Sequence, residues 1–394
     1  MTVIVTGPVS TDATTRFMAA CQHNGMPAVL LGTPNPAFTG HPHVSVPTLD
    51  LPLAELAGLL APFGPTAVVP AGELAVPVAD RLAAYFGTPH NPLDAGDVYR
   101  NKDSMRAAFR AAGLPQPRVH GVFTTMAEAE QMDWSAVPFP VIVKPVDGAG
   151  SYFVRLCETP ADVLGALPPI FGRARSGATG LSFLRQAVVE EYVDGPEFSA
   201  ECVVAGGVAD VVAVVRKFLS PLPHRDETAH LCADVADAGV LAALTVTIAK
   251  VVTAFRVRDT VLHVEFKLTP DGTQHVIEVG NRVAGDQISE LVELRSGWDL
   301  EAALVRLRSG LGVDGARRGS GSADAYGVKF EFGAPSIGPP QVRTVRRAST
   351  DRYPLVEGQG EFHTSQRTGY TILASDDVPA LASHLGRLES RVPA

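Results

Sequence analysis

The chain has 394 residues, 46% of them hydrophobic and 19% charged, with a formal net charge of −9. This length suggests two or three domains of ordinary globular composition, and the acidic balance argues against a nucleic-acid surface, which needs a basic patch or stripe. No apolar run approaches the ~18 residues of a membrane span, and Met1 to Gly7 lacks the basic and apolar regions of a signal peptide. Cys21, Cys157, Cys202 and Cys232 are far apart, so reduced thiols in a cytoplasmic protein are expected rather than a disulfide framework or a metal-spaced pair.

In chain order, Val3 to Thr6 reads as a short buried strand, Asp12 to Asn24 as a helix and Pro27 to Gly32 as the next strand. Leu53 to Leu60 reads helical, Ala67 to Pro70 strand-like, and Pro77 to Phe86 helical with a stop at Gly87. Alternation of this kind is the βαβ pattern of a parallel sheet with helices on its faces. The first turn, Gly7-Pro8-Val9-Ser10, has a single glycine, so the dinucleotide fingerprint is missing. Residues 1–98 therefore read as a Rossmann-like domain that need not hold a nucleotide.

Asn101 to Gly113 reads as a helix closed by glycine, and Phe139 to Pro145 as a strand stopped by proline. Val188 to Val193 is strand-like, and Phe198 to Val204 with Val208 to Val215 flank Gly206-Gly207 as a hairpin. Gln287 to Leu294 and Asp299 to Ser309 read as helices. Arg317 to Ser322 is a Gly/Ser-rich break. Strands at Ala325 to Phe332 and Tyr370 to Leu373 precede a last helix at Val378 to Leu388.

The most informative segment is HVEFKLTPDGTQHVIEVGNR, residues 263–282. Two strand-like runs carry Glu265 and Glu278, and Pro270-Asp271-Gly272 between them is turn chemistry. A hairpin would set the two carboxylates side by side, where they repel unless a cation lies between them. Oxygen ligands that leave room for water and phosphates describe a Mg²⁺ site. Arg282 is placed to lean over the same site. The alternative is a hairpin with two surface glutamates, and His263 and His275 read as strand-surface histidines.

Lys144 ends an apolar strand, and Asp147-Gly148-Ala149-Gly150-Ser151 follows. A lysine there can reach phosphates, while the glycines let backbone N–H groups approach them and Ser151 adds a hydroxyl. No Gly-Lys-Ser/Thr end is present, so this is not a P-loop. Lys102 precedes an apolar helix; taken alone it reads as a solvated helix-start residue. Glu190-Glu191-Tyr192-Val193 enters a turn that ends at Glu197, and such a strand end can offer backbone groups to an adenine edge.

The joint order of these motifs resembles the ATP-grasp superfamily from about Pro70 to Gly310. Within it, the segment 263–282 looks most like carboxylate–amine ligases of the L-amino-acid ligase, bacilysin-synthesising type. Phe218 to His230 and the tail GYTILASDDVPALASHL are similar to segments of that group. The resemblance implies an α/β fold, α+β in part, with residues 1–98 as the N-terminal Rossmann-like domain and 99–188 as linker helix and small lid. Residues 189–394 would form the catalytic domain, with a C-terminal subdomain after a break near 315–323.

The resemblance also implies roles. Lys102 and Lys144 would contact ATP phosphates beneath a lid loop of Gly148, Ala149, Gly150 and Ser151. Glu190 and the backbone of Glu191, Tyr192 and Val193 would hold adenine, and Glu197 the ribose. Glu265 and Glu278 would ligate Mg²⁺, with Mn²⁺ as a possible substitute. Arg282 would stabilise an acyl-phosphate and its transition states. Glu227, His230, Gly285 and Asp286 would face the small-molecule carboxylate or amine substrates, amino acids above all, in the making of peptide-like natural products. Members of the group are often dimers, but no interface is legible here, so a homodimer stays open.

Two positions depart from the pattern. Many ATP-grasp enzymes carry Asn two residues after the second metal glutamate; here Gly280 stands there and Asn281 follows, so Asn281 is a doubtful third ligand. The glycine loop runs into Tyr152 and Phe153, where a further glycine is usual. The generic motifs would also serve a biotin-carboxylase-like or purine-pathway enzyme, although Gly280 and the tail favour an amino-acid acceptor. The missing glycine fingerprint counts against a nicotinamide oxidoreductase. Retention of Glu265, Glu278, Lys144 and Arg282 counts against an inactive nucleotide-binding module.

Overall fold

In the computed structural model of the protein, the alternating N-terminal segments form a parallel sheet ordered β3 (His43–Ser45), β2 (Ala28–Gly32), β1 (Thr2–Thr6) and β4 (Pro65–Pro70). The structure describes residues 1–8, 10–93, 96–176, 179–221, 226–234, 238–332, 339–349 and 366–387. Side chains alternate across a strand. Val3, Val5 and Leu30 therefore pack on α1 (Thr11–His23), while Ile4, Leu31 and Val68 meet α2 (Leu53–Leu60) and α3 (Val76–Tyr85) on the other face. Ser10 caps α1 by accepting the Ala13 N–H.

After the short α4 (Gly96–Arg100), α5 (Lys102–Ala111) leads to a second sheet, ordered β5 (Val119–Phe123), β8 (Ala187–Glu191), β6 (Val141–Pro145) and β7 (Arg155–Cys157). It is antiparallel throughout and covered by α6 (Met126–Glu130) and α7 (Pro160–Gly172), whose buried residues form its own core. Because β8 runs to Glu191 within this sheet, the boundary placed at residue 188 falls inside a strand.

The third sheet has eight strands: β13 (Gln274–Gly280), β12 (Thr260–Leu268), β9 (Glu197–Ala205), β10 (Val208–Leu219), β11 (Glu227–Ala233), β14 (Ala325–Glu331), β16 (Gly369–Ser375) and β15 (Arg343–Ser349). One face packs on α5 and α8 (Ala238–Ala254), the other on α9 (Ile288–Ser296) and α10 (Leu300–Arg308). α11 (Val378–Gly386) covers β11, β14 and β16, and Leu388, the predicted end of this helix, lies outside the described residues. The Gly/Ser-rich break opens no separate subdomain, because β14, β15 and β16 extend the same sheet and Arg318 is pinned to Asp299 at 2.6 Å. The N-terminal sheet is locked to the large one by Arg308 of α10 and Asp80 of α3, 2.7 Å apart and both buried. Among the described residues no helix is long and apolar enough to cross a membrane.

Candidate active site

The predicted hairpin is β12–β13, and its register sets Glu265 directly opposite Glu278. The turn closes as its chemistry requires: Gly272 N–H donates to Thr269 O at 2.9 Å, and Asp271 Oδ1 accepts from Thr269 Oγ1 at 2.6 Å and Thr273 N–H at 3.0 Å. Val264, Phe266, Val276 and Val279 lie in the core, and the register shift between Glu265 and Phe266, which pair with Glu278 and Val276, lets Val276 and Glu278 take opposite faces although they are two residues apart.

Cations offset the pair. Lys102 Nζ lies 3.0 Å from Glu278 Oε1 and donates to Gly148 O at 2.8 Å. It is buried at the start of α5, not solvated. Lys217, unread in the sequence, donates to both Glu265 and Glu227, the latter at 2.8 Å. Burial alone would push the Glu265 carboxyl up; Lys217 and His263 outweigh it and hold it well below the usual carboxylate range. His263 is no surface residue: it is buried, with Nδ1 2.8 Å from Glu201 Oε1 and Nε2 3.1 Å from Glu265 Oε1. Burial disfavours its charged form, but Glu201 and Glu265 push it up to about 9.

Arg282 reaches the same region, its guanidinium bonded to Glu73 of the N-terminal domain and to Val283 O. This explains Gly280, where a Cβ would stand 3.0 Å from Glu73 Oε2 and 3.6 Å from Arg282 Cγ. Asn281 is not brought to the pair. It is fully buried, and its Oδ1 accepts from Thr260 Oγ1 at 2.8 Å and Asn91 Nδ2 at 3.1 Å, a structural tie instead of a ligand position.

α5 also joins the two antiparallel sheets. Arg106 Nη2 bonds Glu190 Oε2 at 2.9 Å and Ile277 O at 2.8 Å, and Lys144 Nζ lies 3.0 Å from the same glutamate oxygen. Burial opposes the Glu190 charge, but Arg106 and Lys144 together hold its carboxyl down to about 2. Burial pushes the Lys144 ammonium down, with Glu190 acting against it. A carboxyl depressed on folding stabilises above its unfolded pKa of about 4.3 and loses that stabilisation as pH falls through the folded value. Stability is therefore expected to fall between about pH 4.3 and 2. Glu190→Gln should flatten that part of the unfolding profile, measured by denaturant titration at stepped pH; an unchanged slope would contradict the assignment.

Glu190 Oε1 is buried without a hydrogen-bond partner among the described residues. Next to it, Glu191 N–H donates to Arg118 O at 2.8 Å, and Lys267 Nζ holds Val193 O at 3.0 Å while lying 4.9 Å from the Tyr192 ring centre. Glu197 opens β9 opposite Lys217 and Lys267, and burial pushes its carboxyl up. In the glycine loop, Gly148 is buried, Ala149 and Gly150 follow, and Ser151 and Phe153 adopt positive φ of 57° and 60°. That conformation is strained for both. Phe153 packs against the lid core.

Glu227, His230 and Asp286 converge, with ligand atoms within 4.8 Å of one another. His230 is fully buried, its Nε2 3.1 Å from Glu227 Oε2. Burial opposes the Glu227 charge, but Lys217 and His230 hold its carboxyl far below the usual range. Asp286 has positive φ of 55° and pairs with Arg367 Nη1 at 2.9 Å. Gly285 borders open space. Lys217, Arg106, Glu73 and Arg367 were not legible as site residues. The available signal was lone charges in apolar runs, as in VVAVVRKFL.

A family model described as ATP-grasp domain matches residues 137–290. The L-amino acid ligase from Bacillus licheniformis shares the fold with a TM-score of 0.76 at 18% identity, over 97% of this chain and 95% of that one. Biotin carboxylase from Campylobacter jejuni shares it with a TM-score of 0.68 at 14% identity, over 97% and 89%. The chain thus has the ATP-grasp fold and carries an ATP-grasp domain. In sequence it is 26% identical over 290 residues to an uncharacterised protein, y4rH, of Sinorhizobium fredii, covering 72% of this chain and 57% of that protein. It is 29% identical over 180 residues to carnosine synthase 1 of Gallus gallus, covering 45% of this chain and 19% of that protein. The chain therefore spans little more than half, or less, of the length of these relatives.

Proposed function

We propose that the protein is an ATP- and Mg²⁺-dependent carboxylate–amine ligase, joining amino acids or amino-acid-like molecules through an acyl-phosphate. One observation carries this: the Lys217 ammonium contacts both Glu265 of the hairpin and Glu227 of the second cluster. If the hairpin handles phosphate and the second cluster the amine, this contact makes the two neighbours, as amide formation on an acyl-phosphate requires. The names of two similar proteins, an L-amino acid ligase and a carnosine synthase, support the same class.

Lys102, Lys144, the 148–151 loop, Glu190, the 191–193 backbone and Glu197 would hold ATP. The oxygen-only pair Glu265 and Glu278 fits Mg²⁺, which when bound supplies neutralisation of phosphate charge. The substrate carboxylate attacks the γ-phosphorus and ADP leaves. Lys144 and Lys102 offset phosphate charge, and Arg282, held by Glu73, faces charge that develops on the transferring group.

Two carboxylates and an imidazole make a cation site at Glu227, His230 and Asp286. Arg367 offsets Asp286, and Lys217, shared with Glu265, offsets Glu227, so the cluster has no charge to spare for a dication, while its carboxylate oxygens and imidazole can still hydrogen-bond an amine. The amine gives up a proton within this cluster, attacks the acyl carbon, and phosphate leaves as the amide forms. Trapping with hydroxylamine tests the first half. A panel of carboxylates with ATP and Mg²⁺ should give one or more hydroxamates in step with ADP; ADP release without any hydroxamate would mean plain ATP hydrolysis.

A further inference from the structure

Gly148 lies between two cations. Lys102 Nζ takes its carbonyl at 2.8 Å, and on the other side Arg173 Nη1 stands 3.5 Å from where a Cβ on this residue would be. Arg173 follows α7, and its guanidinium is stacked 3.6 Å from the Phe183 ring centre and 5.3 Å from that of Phe153. Two aromatic faces fix the plane of a cation without neutralising it. Arg173 Nη1 is buried with no hydrogen-bond partner among the described residues. The nearby acid, Asp147, is engaged elsewhere: its Oδ2 accepts the Leu184 N–H at 2.9 Å and lies 3.7 Å from Arg100. A planar donor held beside a glycine loop, with Asp147 near but bonded to other groups and Nη1 unpaired, fits an anion.

We infer that Arg173 grips the phosphate chain of the nucleotide from the lid side, with Phe153 and Phe183 setting the guanidinium plane. This rests on the nucleotide site proposed above. The occupant is a phosphate and not the substrate carboxylate, because Lys102, the other cation at Gly148, is tied to Glu278 of the metal pair. The amine cluster has its own arginine, Arg367. Phe153 gains a purpose too: its left-handed backbone places an aromatic ring where the family pattern has glycine.

Calorimetric titration of the full chain with Mg-ATP and, separately, with adenosine tests the inference. Arg173→Gln should weaken Mg-ATP binding about tenfold, the loss of one charged contact, and leave adenosine binding unchanged, with a small drop in thermal stability of the unliganded chain from the lost stacking on Phe183 and Phe153. Arg173→Lys, which keeps the charge without the planar fork, should fall in between. Undiminished Mg-ATP binding by Arg173→Gln, or an equal loss for adenosine, would overturn the assignment while leaving the nucleotide site standing. If the unaltered protein bound no Mg-ATP, the nucleotide site and this role would fail together.

Discussion

Glu278→Gln should reduce ATP-dependent product formation by about 10²–10³-fold, the scale of losing one preorganised electrostatic contact to a reacting group. The substitution keeps the shape of the side chain and an oxygen for Lys102, which lies 3.0 Å from Glu278 Oε1. It removes the charge that, with Glu265 opposite on the hairpin, would hold Mg²⁺. Glu278 is partly exposed, so the fold should survive, and thermal stability should stay near that of the unaltered chain. ADP release followed across a Mg²⁺ titration checks this. The expected result is a collapse of the maximal rate with a shift to higher Mg²⁺; full activity at ordinary Mg²⁺ would contradict the proposal that Glu278 is a metal ligand.

The second large effect is on stability. Arg308 and Asp80, 2.7 Å apart and almost inaccessible, join α10 to α3, and Asp80 Oδ1 also accepts the Asn91 N–H at 3.2 Å. Arg308→Met strands the Asp80 charge in a dry interface, which costs about 3–5 kcal/mol when one partner of a buried pair is removed. The pair itself is imperfect, because Arg308 Nε and Nη2 and Asp80 Oδ2 find no partner among the described residues. Asp80→Leu combined with Arg308→Met should therefore recover much of the loss, since replacing both partners by apolar groups is often close to neutral. Equilibrium urea unfolding of the single and double variants measures both. A single-variant cost below about 1 kcal/mol would show that the pair is solvated.

Local chemistry made the hairpin legible. Proline, aspartate and glycine dictate its turn, and Glu265 and Glu278 meet as the sequence implies, although the register shift that sends Val276 and Glu278 to opposite faces is not written in the alternation. The same alternation misled at His263. It does face away from Leu262 and Val264, but that face is covered too, by Glu201 and Glu265. Whether the second face of a strand meets water depends on α9 and α10 packing there, which no local pattern records. Lys217 and Glu73 were hidden for a related reason. Lys217 matters because register places it opposite both Glu197 and His230, and Glu73 because the N-terminal domain docks against Arg282. The sequence does not announce α7, because Pro168 and Pro169 sit inside it. Proline normally ends a helix, and only the packed lid core shows that this one continues.

The most direct test of the central claim is product analysis. The full chain is incubated with ATP, Mg²⁺ and amino acids, singly and in pairs, while ADP or phosphate release is followed and products are weighed by mass spectrometry. Release that needs two amino acids, with a new mass equal to their sum less water, is the predicted result. Release driven by bicarbonate, with no condensed product from any pair, would contradict the account and place the chain with the carboxylating members of its fold.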